Sequence, residues 1–210
     1  MNQDLTVFVV DDDENVRTSL QKLIQSVGLR STTFPSAQHF LTAYKPNQAG
    51  CLVLDVRMPG TSGLDLQETL AAQNIKLPIV FITGHADVPT SVRAMKGNAT
   101  DFIQKPFSAQ TLLDAIHRAL AKAEEIYEDE ATKSEILRRV DLLTPREKEV
   151  LALVVTGRPN KQIAAELGTS EKTIKVHRAR VMKKLQAESL PHLVLLSQAV
   201  GIGVSKVRAP

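Results

Sequence analysis

The chain has 210 residues, a single cysteine, no tryptophan and a formal net charge of +3 at pH 7. That length suits one large domain or two small ones, and a lone Cys51 excludes an intrachain disulfide and points to a reducing compartment. Charge is unevenly spread: residues 1–121 carry 10 Lys+Arg against 11 Asp+Glu, residues 122–141 carry 4 against 7, and residues 142–210 carry 12 against 5. A near-neutral front, an acidic middle and a basic end predict two domains, the second facing a polyanion.

Residues 1–4 lack a basic segment and lead at once into an apolar run, so no secretory signal is expected. No apolar stretch approaches the ~20 residues of a membrane span, and a cytoplasmic protein is expected. Four short apolar runs then follow, each ending in a chemically functional residue. Val7-Phe8-Val9-Val10 runs into Asp11-Asp12, Leu52-Val53-Leu54 into Asp55, Ile79-Val80-Phe81-Ile82 into Thr83, and Phe102-Ile103-Gln104 into Lys105-Pro106. Such runs read as strands buried on both faces, the mark of a parallel sheet. A weaker run, Arg30–Phe34, supplies a fifth strand.

Between the strands the spacing turns helical. Val16, Leu20, Leu23, Ile24 and Val27 recur every three or four residues, and Gly28 can end that helix. Two shorter helices are predicted over 63–72 and 89–96, and another over 109–121. Strands alternating with helices predict a doubly wound α/β domain with a five-stranded parallel sheet. Ligands of such sheets lie outside the carboxyl ends of the strands. There the chain gathers Asp11, Asp12, Asp55, Thr83 and Lys105. Two or three carboxylates held together need a counter-charge, and a hard divalent cation such as Mg²⁺ with oxygen ligands supplies one. A carboxylate beside Mg²⁺ can attack phosphorus, with Lys105 and the Thr83 hydroxyl steadying phosphoryl oxygens. Asp13 or Glu14 fits a simple helix cap.

Over residues 5–121 the sequence resembles the receiver domain of two-component response regulators, a flavodoxin-like fold. The matching motifs are Val9-Val10-Asp11-Asp12-Asp13, Leu54-Asp55-Val56-Arg57-Met58-Pro59-Gly60, Ile82-Thr83-Gly84 and Asp101-Phe102-Ile103-Gln104-Lys105-Pro106-Phe107. The resemblance implies that Asp55 is the phospho-acceptor. It implies Mg²⁺ ligation by Asp12, by Asp11 mostly through water, by Asp55 and by the Arg57 backbone carbonyl. It further implies that Thr83 and Phe102 form a switch pair, that Lys105 meets the phosphoryl group, and that the peptide before Pro106 is cis.

Residues 122–141 continue the preceding helix at Ala123 and Tyr127, pass through Glu128-Asp129-Glu130, and resume at Ile136-Leu137. A solvated helical linker is the reading, since a dimerising coiled coil needs more clean heptads.

Residues 142–210 read as helices throughout. Thr144-Pro145-Arg146-Glu147 is a helix start, with Thr as N-cap and Glu147 reaching back to it. Val150, Leu151 and Val154 face inward, and Gly157 stops that helix. Asn160 is expected to cap a short helix burying Ile163, Ala164 and Leu167. Gly168-Thr169-Ser170 turns into a third helix over 171–185, and short helix, tight turn and longer basic helix make a helix-turn-helix. At about 100° per residue, Ile174, Val181, Leu185 and Met182 form its buried stripe. Lys172, Lys175, Val176, Ala179, Arg180 and Lys183 form the opposite face, suited to a major groove. Arg178 falls inside the apolar wedge and is expected to pair with Glu147 or Glu149. His177 is read as a satisfied packing residue.

From 142 to about 200 the chain resembles the four-helix DNA-binding domain of the LuxR/NarL type. Leu143-Thr144-Pro145-Arg146-Glu147, Asn160-Lys161-Gln162-Ile163-Ala164 and Thr173-Ile174-Lys175-Val176-His177 through Lys184-Leu185 carry the likeness. It adds Thr173 to the DNA-facing set, and it implies a fourth helix over 190–200 used for dimerisation on DNA. Some family members carry a basic residue where this chain has Ala179. Residues 203–210 read as an untethered tail. The whole chain resembles FixJ-like transcriptional regulators. That implies a DNA-binding regulator switched by a sensor histidine kinase and acting on promoter DNA as a homodimer, with RNA polymerase as a possible further partner. The resting receiver masking the recognition helix is a further expectation.

Two other readings stay open at this stage. One is an Mg²⁺-dependent aspartyl phosphatase, although the position two after Asp55, where such enzymes carry a general acid, is Arg57. The other is a constitutive DNA-binding protein with an inert receiver.

Overall fold

The computed structural model describes residues 5–45, 48–85 and 87–203; the readings made for residues 1–4 and for the tail beyond Gly203 lie outside the described residues. The chain divides into two compact units, residues 1–128 and 129–210. No helix among the described residues is long and apolar enough to cross a membrane.

The first unit runs β1 (Thr6–Val10), α1 (Glu14–Ser26), β2 (Arg30–Phe34), α2 (Ala37–Ala43), β3 (Gly50–Asp55), α3 (Gly63–Ala72), β4 (Ile79–Thr83), α4 (Val88–Lys96), β5 (Asp101–Gln104) and α5 (Ala109–Asp141). The five strands form one sheet in the order β2-β1-β3-β4-β5, and every pairing is parallel. Side chains alternate across a strand, so β1 feeds two cores. Phe8 and Val10 join α2, α3 and α4 through Phe40, Leu66, Leu70 and Ala94. Val7 and Val9 join α1 and α5 through Ile24, Leu112 and Ile116. This is the expected three-layer, doubly wound architecture.

Helix α2 went unread because its seven residues are too few to show a period. Its marks are the Ser36 cap and the Phe40–Tyr44 pair, whose rings stack at 5.1 Å and join Phe8 and Phe34 in one aromatic cluster. Helix α5 runs unbroken from Ala109 to Asp141, so the segment 122–141, read as a helical linker continuing the preceding helix, is helical throughout and merges with the helix expected over 109–121. In its last turns Glu135 takes ion pairs from both Arg138 and Arg139, at spacings of three and four.

In the second unit the last turns of α5 are followed by α6 (Pro145–Val154), α7 (Asn160–Glu166), α8 (Glu171–Lys184) and α9 (Leu190–Ala199). Ile136, Val140, Val150, Leu151, Ile163, Ile174, Val181, Leu185 and Leu193 make its core. The expected cap of α6 is present: Thr144 Oγ1 accepts from the Glu147 amide, and Glu147 accepts from the Thr144 amide at 2.8 Å. Gly157 and Gly168 hold φ of +81° and +61° at the turns after α6 and α7, a region where a side chain is strained. Gly203 packs so closely on Val155 that a Cβ would meet it at 2.2 Å, so the chain is still held there.

Candidate functional site

The sheet order reverses direction at β1, with β2 on one side and β3 on the other. Ligands of open α/β sheets gather at that reversal. The register pairs Val10 with Leu54, so Asp11 and Asp55 leave the sheet side by side, while Thr83 pairs with Gln104 and sets Lys105 next in line. The Lys105 amide donates to the Thr83 carbonyl at 2.7 Å, and the Lys105–Pro106 peptide is cis.

The geometry centres on one ammonium. Lys105 Nζ donates to Asp11 Oδ2 and to Asp55 Oδ1, both at 2.8 Å. Both carboxylates are buried, with side chains only 2% and 9% exposed. The other Asp55 oxygen, Oδ2, accepts from the Arg57 amide at 2.7 Å, and Asp11 Oδ1 accepts from the Asp13 amide at 2.9 Å. Burial pushes the Asp55 carboxyl above its usual range, against the Lys105 ammonium and the Arg57 amide, which pull it down. Burial alone would lower Lys105. Its bonds to Asp11 and Asp55 outweigh that and hold the ammonium above its ordinary value.

Not every expected residue joins this pair. Asp12 is exposed, and among the described residues no three carboxylate, imidazole or thiol groups stand at metal-ligating spacing. The Thr83 hydroxyl is buried but turned to its own loop, accepting from the His85 amide at 3.2 Å and donating to the His85 carbonyl at 3.3 Å. Phe102 is half-buried against the first core, its ring 6.2 Å from that of Phe81. Two supports were missed from sequence. Arg17 Nη1 donates to the carbonyls of Asp11 and Asp12 at 2.8 and 2.9 Å, tying down the acidic loop, and His85 holds Thr83. Arg17 stands one turn after the Asp13 cap, which is the signal that could have found it. Asp13 itself caps α1 as read, accepting from the Asn15 and Val16 amides. The close approach of Gly63, where a Cβ would lie 2.2 Å from the Asp55 carbonyl, brings the start of α3 against the end of β3.

In the second unit α8 presents the expected faces. Ile174, Val181 and Leu185 are buried, whereas Lys172, Lys175, Val176, Ala179, Arg180 and Lys183 are exposed. Thr173 is half-buried, and its hydroxyl is shared with Ser170 Oγ at 2.8 Å beside the cap of α8. Three readings need correction. Arg178 donates to Asn160 Oδ1 at 3.2 Å rather than pairing with an acid, because Lys184 already holds Glu147 at 2.6 Å and Arg146 holds Glu149 at 2.7 Å. Asn160, so engaged, is the first residue of α7 and not its cap; Pro159 takes the cap position, with no side-chain hydrogen bond. His177 Nδ1 is buried without a hydrogen-bond partner among the described residues, so that histidine is packed but not satisfied.

An acid-and-lysine pocket at the reversal of a five-stranded parallel sheet, joined to a helix-turn-helix with a basic face, defines a class: a phosphoryl-responsive switch on a DNA-binding unit. Comparison with known proteins agrees. Residues 7–117 match the response regulator receiver domain family, and residues 141–197 match the luxR family of bacterial regulatory proteins. Nodulation protein W of Bradyrhizobium diazoefficiens is 49% identical over 95% of this chain and 88% of its own length. The transcriptional regulatory protein FixJ of Azorhizobium caulinodans is 42% identical over the whole of both chains. Among solved structures, the response regulator StyR superposes with a TM-score of 0.79 at 49% identity, covering 93% of this chain and 98% of that one. Full-length FixJ from B. japonicum gives 0.55 at 43% identity, covering 93% and 97%.

The chain belongs to the response regulators that join a receiver domain to a luxR-type DNA-binding domain, and it is a phosphorylation-dependent transcription regulator. That family implies a sensor kinase and promoter DNA as partners, and its members are not typically enzymes. Receiver domains generally bind Mg²⁺ at the phosphorylation site. The two carboxylates that the fold brings together suit it: Asp11 and Asp55 offer oxygen only, and with a single ammonium between them the pair keeps excess negative charge, whereas Asp12 stays exposed.

Proposed function

We propose that Asp55 is the phospho-acceptor and that its phosphorylation promotes dimerisation and promoter binding through α8. The observation that carries this reading is Lys105 Nζ held 2.8 Å from both Asp11 and Asp55. An Asp55 carboxylate oxygen bonds to phosphorus as the donor's P–N bond to a kinase histidine breaks, and the electron pair leaves with the imidazole nitrogen. An acyl phosphate results. Asp11, Asp12, Asp55 and the Arg57 carbonyl would hold Mg²⁺, which supplies charge neutralisation for the phosphoryl oxygens when bound. Lys105 neutralises one phosphoryl oxygen as a point charge, and the Thr83 hydroxyl leaves His85 to donate to another. Phe102 then turns inward behind it.

Val88, Val92 and Met95 leave an apolar strip exposed on α4, which supports a dimerisation face within 88–121. Lys172, Thr173, Lys175, Val176, Ala179, Arg180 and Lys183 meet the major groove, with phosphate contacts supplying affinity and a few base contacts specificity. RNA polymerase is the partner that a bound activator would recruit, and the cytoplasm is where kinase and promoter meet it.

The test is treatment of the full chain with a small-molecule phosphodonor and Mg²⁺. A single phosphoryl mass increment is expected, with a rise in molar mass by light scattering, and both are absent in Asp55→Asn. A rise in molar mass on phosphodonor addition to that variant, equal to the parent's, overturns the reading.

A further inference from the structure

Away from the phosphoryl pocket, at the opposite end of β4 from Thr83, the first unit has a cavity of about 400 Å³. Helices α3 and α4 both stop beside it. Their chains turn back toward the sheet through Asn74 and Asn98, whose φ of +56° and +68° are left-handed. The remaining wall is α5 beyond residue 121, where Lys122 and Ile126, one turn apart, share a face of the helix. Buried Leu70 and Ile79 and half-buried Ile75 and Leu77 complete an apolar lining. Small-molecule sites occupy about 300–1,000 Å³ and are mostly apolar with a few convergent polar groups, which describes this one.

The polar groups are few and unspent. Gln67 is 5% exposed and donates through Nε2 to the Ala94 and Gly97 carbonyls at 3.1 and 2.8 Å. With both amide hydrogens so used, it can offer the cavity only an acceptor. Its Oε1 accepts from no described residue and is not sealed from solvent. A ligand that displaces water from that oxygen must bring a donor. Lys122 is half-buried, and its ammonium makes no ion pair or hydrogen bond with another described residue. Lys76 is the other charged residue of the lining, and no acid is among the described residues there. The cavity thus carries positive charge only, over an apolar wall with one open acceptor.

We propose that this cavity binds a small carboxylic acid whose apolar body carries a hydroxyl. The carboxylate lies against Lys122, the hydroxyl donates to Gln67 Oε1, and the body packs on Leu70, Ile75, Leu77 and Ile126. A charge pair in partial burial is screened less than one on open surface, so the site prefers the acid to its neutral amide. The occupant touches the ends of α3 and α4 at the join that Gln67 makes between them. None of this rests on the role given to Asp55.

Isothermal titration calorimetry of the full chain, without phosphodonor, tests it with three probes of one size: ω-hydroxyoctanoate, ω-hydroxyoctanamide and octanoate. The first is expected to bind with a Kd of about 1 mM or tighter. The amide, lacking the charge, and octanoate, lacking the donor, are each expected to bind roughly three- to tenfold more weakly. Lys122→Ala brings acid and amide to equal affinity and keeps the preference for the hydroxyl. Ala71→Trp, which sets an indole in the cavity from an exposed position on α3, abolishes binding of all three; circular dichroism and a cooperative melt show that it folds. Should that variant misfold, Lys122→Ala decides alone. Absence of binding to the parent, or binding that persists in folded Ala71→Trp, overturns the proposal. Equal affinity of the parent for acid and amide overturns the carboxylate, and equal affinity for ω-hydroxyoctanoate and octanoate overturns the part given to Gln67.

Discussion

At Asp55 the demands of stability and of function oppose one another. Its carboxyl is buried beside a second carboxylate and shares one ammonium with it, and burial raises its pKa. A group whose folded pKa is raised stabilises the fold fully only below its unfolded value, near about 3.9 for Asp, and loses that contribution as pH rises through the folded value. At neutral pH the ionised side chain therefore weighs against folding. Asp55→Asn removes the charge and keeps an acceptor for Lys105, so it is expected to melt a few degrees above the parent at pH 7 without metal. The gap should close as pH falls toward 4, read by thermal unfolding across a pH series. A variant less stable than the parent at pH 7 contradicts this account. Asp11, Asp55 and Lys105 were legible beforehand because each sits at a strand end, and backbone register alone brings strand ends together. Partner choice was not legible. Arg178 was free to reach an acid until Lys184 and Arg146 took Glu147 and Glu149, and no spacing rule foretells that competition.

Among the elements, α4 is held to α3 in two ways of unequal weight. The buried Gln67 Nε2 donates to the carbonyls of Ala94 and Gly97 at 3.1 and 2.8 Å, satisfying the end of α4. Arg93 reaches Glu68 at 2.7 Å and Asp65 at 3.4 Å, but all three side chains are at least half exposed. Removing one partner of a buried hydrogen bond costs about 1–3 kcal/mol, whereas exposed ion pairs are worth about 0–1 kcal/mol. Gln67→Ala is therefore expected to lower the melting temperature by roughly 3–10 °C, and Arg93→Ala by far less, both by calorimetry. Equal shifts would show the surface pairs to be the stronger tie. Strands β1, β3 and β4 were easy to read because their runs are buried on both faces and apolar at successive positions, while β2 and β5, only partly buried, carry polar residues and show more weakly. Helix α2 was not, since seven residues complete fewer than two turns and most of their burial is aromatic.

For the molecule as a whole, the division of labour shows in charge: a balanced sheet domain handles one phosphoryl group, and a helical unit with 12 Lys+Arg against 5 Asp+Glu from residue 142 onward meets a polyanion. That asymmetry, and the change from short apolar runs alternating with helices to unbroken helical spacing, made two bodies visible in the sequence. Where one ends was less visible, because residues 127–135 have almost no apolar side chains and helices are recognised by their buried stripe. Helix α5 ignores that boundary. Leu112, Ala115, Ile116 and Ala119 belong to the core beneath the sheet, and Ile136 and Val140 belong to the core of the helical unit. A fragment trimmed to the matched segment 141–197 thus leaves behind two of its own core side chains. Each aliphatic is worth about 1.5–3 kcal/mol when fully buried, a large share of the stability of so small a unit. Pieces beginning at residue 130 should melt cooperatively, and pieces beginning at 142 should melt lower and broadly, or be unfolded from the start. The place to separate the two halves, for expression or for grafting onto another sensor domain, is upstream of Ile136, inside the helix.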